Sequence, residues 1–309
     1  MAWMVGLGIV LAIAVAGGAW LLRGKPATAA EAPAAKPAKP GKAMSAQHLR
    51  AFMAPYEERL AATARPVRPL SLEALPDDAL TVSKVGGRAW WPDGEPAPRD
   101  AAGAPLVLLA QINFAELPPT PGYPAEGLVQ FFITDNDHYG ANFDGELDEA
   151  ALSAQRNFRV VYWPDLSRKA QALPLRDTQY LPHEPGKPRR LRFGSGQETL
   201  SSSDWRFDGL LGGNAYAQAE KYADQHGISA DELIYELSLE RGGGGSKVGG
   251  YPFFTQTDPR SRGDWELLLQ LDSDDEMMWG DAGVGGFFIR PEDLARADFS
   301  RVIYTWDCY

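Results

Sequence analysis

Cysteine is nearly missing from this chain. Its 309 residues hold one, Cys308, which excludes an intramolecular disulfide and a cysteine-rich structural zinc site. Histidine is scarce too. The four copies, His48, His138, His183 and His226, stand in no zinc-like spacing, and neither HExxH nor GxSxG occurs. A positive surplus is also lacking: 30 Lys and Arg face 41 Asp and Glu, a net charge of −11. Phosphate affinity comes mainly from Lys and Arg, so nucleic acid is excluded as the expected partner. The charge is uneven, because residues 1–44 carry Arg23, Lys25, Lys36, Lys39 and Lys42 against Glu31. The rest is strongly acidic, which leaves basic protein partners, metal ions or plain solubility open. Lack of disulfides leans toward a reducing compartment without requiring one.

Charge is absent altogether from residues 3–22, WMVGLGIVLAIAVAGGAWLL. Twenty apolar residues as a helix reach about 30 Å, the thickness of a bilayer's hydrocarbon core. The expectation is a single-pass transmembrane helix over 3–22. The rival is a cleaved signal peptide, for which Ala27-Thr28-Ala29 supplies a small-x-small site. No cation precedes the run, whereas Arg23 and Lys25 follow it, which favours the anchor and places the body in the cytoplasm. Signal cleavage would instead mean an exported body. Residues 23–44, rich in Pro, Ala and Lys, read as a semi-rigid tether of about 60 Å if fully extended. Its lysines are either simply solvated or drawn to anionic headgroups.

One domain is expected over 45–309. Ser45 is a candidate N-cap, and Leu49, Phe52, Met53, Tyr56 and Leu60 recur at helical spacing. A Pro-punctuated stretch follows. Strands are predicted at 106–114, 127–133, 158–163, 265–271, 285–289 and 301–306. A helical insertion over about 214–241 contains two helices, one stopped at Gly227 and one capped by Ser229.

SKVGG occurs twice, at 83–87 and 246–250, each time followed by aromatics. The order after each copy repeats: a leucine-rich strand with Gln, then Phe-Phe-Ile, then Arg-Val-x-Tyr. Ser83 pairs with Ser246, Gln111 with Gln270, Phe131 with Phe287 and Arg159 with Arg301. Four landmarks in constant order imply an internal duplication, with half-repeats at about 80–165 and 243–309. The expected fold class is therefore α+β: a mainly antiparallel, internally duplicated pseudo-two-fold domain with peripheral helices, plus one N-terminal transmembrane helix.

Each candidate for chemistry carries a structural rival. Lys84 and Lys247 before their Gly-Gly pairs could contact an anion, with Trp90, Trp91, Phe253 and Phe254 as walls; a tight corner entering a strand is the competing and favoured reading. Residues 272–283, DSDDEMMWGDAG, are the densest acidic patch. Asp272, Asp274 and Asp281 could hold a divalent cation or divide acid and base roles, beside Trp279; a solvated turn with Trp279 packed inward is the alternative. No other cofactor is expected. DNDHYGANFDGE at 135–146 departs from a calcium loop at Tyr139 and Asn142. Gln111 and Gln270, in apolar strands, are expected to tie neighbouring loop backbone. Cys308 reads as packed rather than nucleophilic.

SKVGG with YPFFTQTDPR, LLLQLDSD, MMWGDAGVGGFFI, a terminal RVIYTWDCY, and LLAQINFAELP with GLVQFFI resemble the bacterial YwqG-like family, a domain of unknown function, over roughly residue 50 to the end. That resemblance implies no reaction and no catalytic residues, only a supposed immunity or inhibitor role. The leading expectation is thus a membrane-tethered, non-catalytic module that binds a protein partner, basic in charge. The alternative is a ligand- or metal-binding protein, or a hydrolase-type enzyme, using the acidic cluster Asp272–Asp281 in a cleft between the halves.

Overall fold

The computed structural model describes residues 46–143, 148–260 and 263–309. The run 3–22 and the tether 23–44 lie outside the described residues. Among those described, no helix is long and apolar enough to cross a membrane.

The first helical stretch breaks in the middle. Helix α1 (Ala46–Met53) is interrupted at Pro55 by a single 3-10 turn before α2 (Glu57–Ala61), as the missing proline N–H dictates. Leu49, Phe52, Met53 and Leu60 are buried as their spacing predicts.

Strands then follow: β1 (Arg65–Ala74), β2 (Lys84–Val85), β3 (Trp90–Pro92), β4 (Val107–Asn113), β5 (Leu128–Ile133), β6 (Phe158–Trp163), β7 (Ala170–Ala172), β8 (Arg189–Phe193) and β9 (Gly196–Glu198). Short α3 (Glu149–Ser153) interrupts them. The helical insertion is α4 (Arg206–Leu211), α5 (Ala215–His226) and α6 (Ala230–Arg241). Asn214 caps α5 by accepting from the Ala217 N–H, Gly227 ends it at φ 66°, and Ser229 caps α6. Last come β10 (Lys247–Gly249), β11 (Glu266–Asp272), β12 (Val284–Ile289), α7 (Pro291–Ala295) and β13 (Val302–Asp307).

The main sheet is antiparallel and runs β13-β12-β11-β10-β1-β8-β2-β4-β5-β6, with β9 also on β1; β3 and β7 form a small separate pair. That order reads the same from either end. From β10 outward to β13, and from β2 outward to β6, the strands succeed one another identically. At the centre the leading strands are exchanged: β1, just before β2 in sequence, pairs with β10, whereas β8 pairs with β2. The sheet curls until its edges nearly meet, so that Phe131 on β5 touches Phe287 on β12 at 4.7 Å and Phe158 on β6 touches Tyr304 on β13 at 5.2 Å between ring centroids. The result is a nearly closed, barrel-like, mainly antiparallel sheet with a few helices, an α+β fold. A second core, of Leu49, Phe52, Leu60, Phe207, Leu211, Leu233 and Leu237, joins the N-terminal helices to the insertion.

One strand went unread in the sequence, and one expectation needs correcting. The Pro-punctuated stretch is strand β1, at the centre of the sheet. Pro69 is tolerated there because β1 changes partner at that point, from β9 at Arg65–Val67 to β8 at Leu70–Ala74. The expectation is the fourth landmark, which slips by two residues. Phe132 lies opposite Arg159, but its counterpart Phe288 lies opposite Ile303, so Arg159 corresponds to Ile303 and not to Arg301.

Candidate functional site

The two SKVGG turns share one backbone geometry and one hydrogen-bonding plan. Lys84 pairs with Gln111 and Lys247 with Gln270 across neighbouring strands. Gln111 Nε2 donates to the carbonyls of Leu80 and Val82, and Gln270 Nε2 to those of Gly243 and Gly245, as expected of buried amides. The Ser83 and Ser246 hydroxyls accept from the N–H groups of Asn113 and Asp272. Both glycine pairs are left-handed, at φ 66° and 74° and at 67° and 71°.

Neither lysine is free to hold an anion. Lys84, wholly buried, donates to Asp78 Oδ1 at 2.6 Å and to the carbonyls of Ala79 and Arg88. Lys247 donates to Glu198 Oε1 at 2.6 Å and to the Gly243 carbonyl. Each carboxylate also accepts the N–H just past its glycine pair, Arg88 for Asp78 and Tyr251 for Glu198. Burial pulls both ammonium groups below their ordinary value while the carboxylate opposes it. Asp78 and Glu198 were not legible as partners, since one lies five residues before its turn and the other on a strand 48 residues away.

The expected walls are core. Trp90 and Trp91 are buried, Trp91 edge-on to Trp163 and Phe132; Phe254 is buried and stacks on Phe288, while Phe253 is half-buried. Trp279 is fully buried, its Nε1–H directed at Met277 Sδ. The acidic segment is a turn in which Asp272 accepts from Gly245 and Ser273 N–H groups and Asp274 from Glu276 and Met277, whereas Asp281 is exposed. Burial raises Asp272. The structure does not gather these three: among the described residues no group of three His, Cys, Asp or Glu is placed to hold a metal ion. Asp135 instead accepts from the Gln179 and Tyr180 N–H groups, and residues 144–147 of the calcium-like segment lie outside the described residues.

Two cavities adjoin the corners. Strands β4 and β11 each carry a bulge, at Leu108/Ala110 and Leu267/Leu269, that leaves a carbonyl in need of a donor. His183 Nε2 meets that of Leu108 at 3.1 Å, and the Tyr123 hydroxyl donates to those of Leu267 and Leu268. Because a carbonyl only accepts, the proton of His183 is on Nε2, and its buried Nδ1 has no partner among the described residues. Burial holds this imidazole down at about 4, so it is neutral near pH 7. Beside His183 lies a polar cavity of about 220 Å³ with Glu184, Lys187, Arg189, Asp275 and Glu276. At the second corner is an apolar cavity of about 190 Å³, walled by Pro66, Pro121, Tyr123, Leu267 and Leu294 with Arg65 and Glu266.

The outer face of the helical insertion is the other unusual surface. Helix α6 buries Leu233 and Leu237 yet exposes Tyr235 (60%) and Leu239 (65%) on its opposite side; Tyr216 of α5, also exposed, donates to Asp231. Helices α5 and α6 together carry Glu220, Asp224, Asp231, Glu232, Glu236 and Glu240 against Lys221 and Arg241, and Arg241 is paired with Glu57 and Glu240. The sequence DELIYELSLER shows this directly, having apolar residues on two faces where a helix packed on one side needs one.

Against known proteins, a family model described as "Domain of unknown function (DUF1963)" matches residues 83–308. No curated protein matches the chain. The chain belongs to the DUF1963 family.

Proposed function

We propose that this DUF1963 member is a binding module for a protein partner, which docks a basic amphipathic segment on the outer face of α5 and α6. The observation that carries the reading is the pair Tyr235 and Leu239, one helical turn apart and more than half exposed on a helix whose acids outnumber its bases. Large apolar side chains exposed together on a rim of one charge sign are the usual composition of a docking surface. Charge complementarity selects a partner segment with two apolar side chains flanked by Lys or Arg. The finer family assignment, YwqG-like with an immunity or inhibitor role, is consistent with such a module. We further propose that residues 3–22 anchor it and that Arg23 and Lys25 keep the body on the cytoplasmic side; protease protection of the body in intact spheroplasts is the test.

The docking reading is tested by comparing proteins captured by the full chain with those captured by the Tyr235→Ser/Leu239→Ser double variant. Capture that is lost in the variant and weakened by salt supports it. An identical captured set overturns it.

A further inference from the structure

One row of the main sheet is left unfinished. Strand β8 is paired with β1 on one side and with β2 on the other, but β2 covers only Arg189 and Arg190, after which one further bond joins the Leu191 N–H to the Ser83 carbonyl. Strand β9 carries the row onward beside β1, and among the described residues no strand lies on its other edge. Pairing with β1 decides which groups face that edge. Arg65 lies opposite Glu198, Pro66 opposite Gln197 and Val67 opposite Gly196. Proline has no N–H and bonded pairs alternate along an antiparallel ladder, so Gly196 and Glu198 bond to β1 while the N–H and C=O of Gln197 point away from it. The same alternation turns the backbone groups of Thr199 outward. None of these outward groups has a hydrogen-bond partner among the described residues.

A strand edge with free N–H and C=O groups is a template for another strand. Residues 194–199, GSGQET, hold neither the lysine nor the proline that ordinarily blunts such an edge. The edge borders a groove of about 540 Å³, lined by Gln197, Thr199 and Leu200 and by Leu239, Glu240 and Gly243. Leu239, near the end of α6 and 65% exposed, gives the groove an apolar contact. Negative charge is in surplus beside it, because Glu240 and Glu57 share the one guanidinium of Arg241.

We propose that this groove takes an extended segment of the protein partner, which adds a short strand to β9 through the backbone groups of Gln197 and Thr199, sets apolar side chains against Leu239 and carries basic residues between them. The inference rests on the reading of the helical insertion as a docking surface and adds how the partner's backbone is held. Main-chain bonds supply the grip, while Leu239 and the surplus acid select the side chains.

The probe is the peptide Lys-Val-Lys-Leu-Lys-Val-Lys, blocked at both ends, titrated into the full chain and followed by calorimetry and by amide hydrogen exchange. It should bind saturably and slow exchange at the Gln197 and Thr199 amides. The Gln197→Pro/Thr199→Pro variant removes both outward N–H groups, which the fold does not use, and should weaken binding roughly tenfold or more at an unchanged melting temperature. Gln197→Ser keeps the backbone and should stay within about twofold. Should the proline variant fail to fold, exchange at the two amides of the natural chain decides. No saturable binding, binding without slower exchange at those amides, a folded proline variant of unchanged affinity, or a loss in Gln197→Ser as large as in the proline variant each overturns the proposal. The docking reading falls separately, on an unchanged captured set from the Tyr235→Ser/Leu239→Ser variant.

Discussion

Replacing His183 by glutamine isolates one buried titration. A glutamine amide can still donate to the Leu108 carbonyl, which the β4 bulge leaves exposed to that side chain, but it takes up no proton. In the native chain the imidazole titrates at about 4, against 6.5 when unfolded, because burial disfavours its charged form. The unfolded state therefore binds more protons between those values. Stability is fully present above pH 6.5 and is lost as pH falls toward 4, where the loss levels off at about 3 kcal/mol. Linkage gives a loss of about 1 kcal/mol by pH 5.5 and about 2–3 kcal/mol by pH 4.5.

Other groups titrate in the same range, but they are common to both proteins. Burial raises Asp272 and Asp307, and these work in the opposite direction, favouring the native state as pH falls. The difference between the two proteins cancels them. Urea unfolding at pH 7.5, 5.5 and 4.5 should show His183→Gln losing about 2–3 kcal/mol less than the natural chain over that range. Parallel pH profiles would refute the reasoning, since they would mean that His183 is solvated or gains a partner for its Nδ1 proton.

Gly87→Ala and Gly250→Ala each place a β-carbon 2.2 Å from the carboxylate of Asp78 or Glu198 at a positive φ, so each should cost about 3 kcal/mol or more; thermal melts showing less than 1 kcal/mol would break the equivalence of the corners. Lys84→Met strands two carbonyls and removes the buried partner of Asp78, an expected loss of about 3–5 kcal/mol by denaturant titration. Asp204 is held down to about 2 by Arg206 and Arg260 in spite of its burial, and its contribution is present above 3.8 and lost as pH falls toward 2. The stability deficit of Asp204→Asn, about 2 kcal/mol or more at pH 7, should therefore shrink below pH 3. A fragment spanning residues 46–176 should stay unfolded by circular dichroism until 177–309 is added, because every strand paired with β1, as well as β8 beside β2, lies beyond Arg176.

That exchange of leading strands also explains what the sequence did and did not disclose. Continuous apolar runs such as LVLLAQINF and VGGFFI declared themselves because both faces of β4, β5, β11 and β12 are buried. Asn214, Gly227 and Ser229 marked the insertion through local capping chemistry. Strand β1 stayed hidden since Pro66 and Pro69 argue against a central strand, and only the hand-over between β9 and β8 makes Pro69 acceptable. The acids that silence Lys84 and Lys247 were equally hidden, for a lysine followed by two glycines looks the same whether it faces a ligand or a buried carboxylate. SKVGG is thus a corner in both places: Gly-Gly supplies the left-handed bend, Lys crosses beneath it, and one carboxylate holds both the ammonium and the N–H that leaves the bend. Because Asp78 comes from the loop before its own turn and Glu198 from β9 on the far side of the insertion, two identical pentapeptides reach one geometry by different routes. Only the surroundings, a histidine plug at one and an open apolar cavity at the other, tell them apart.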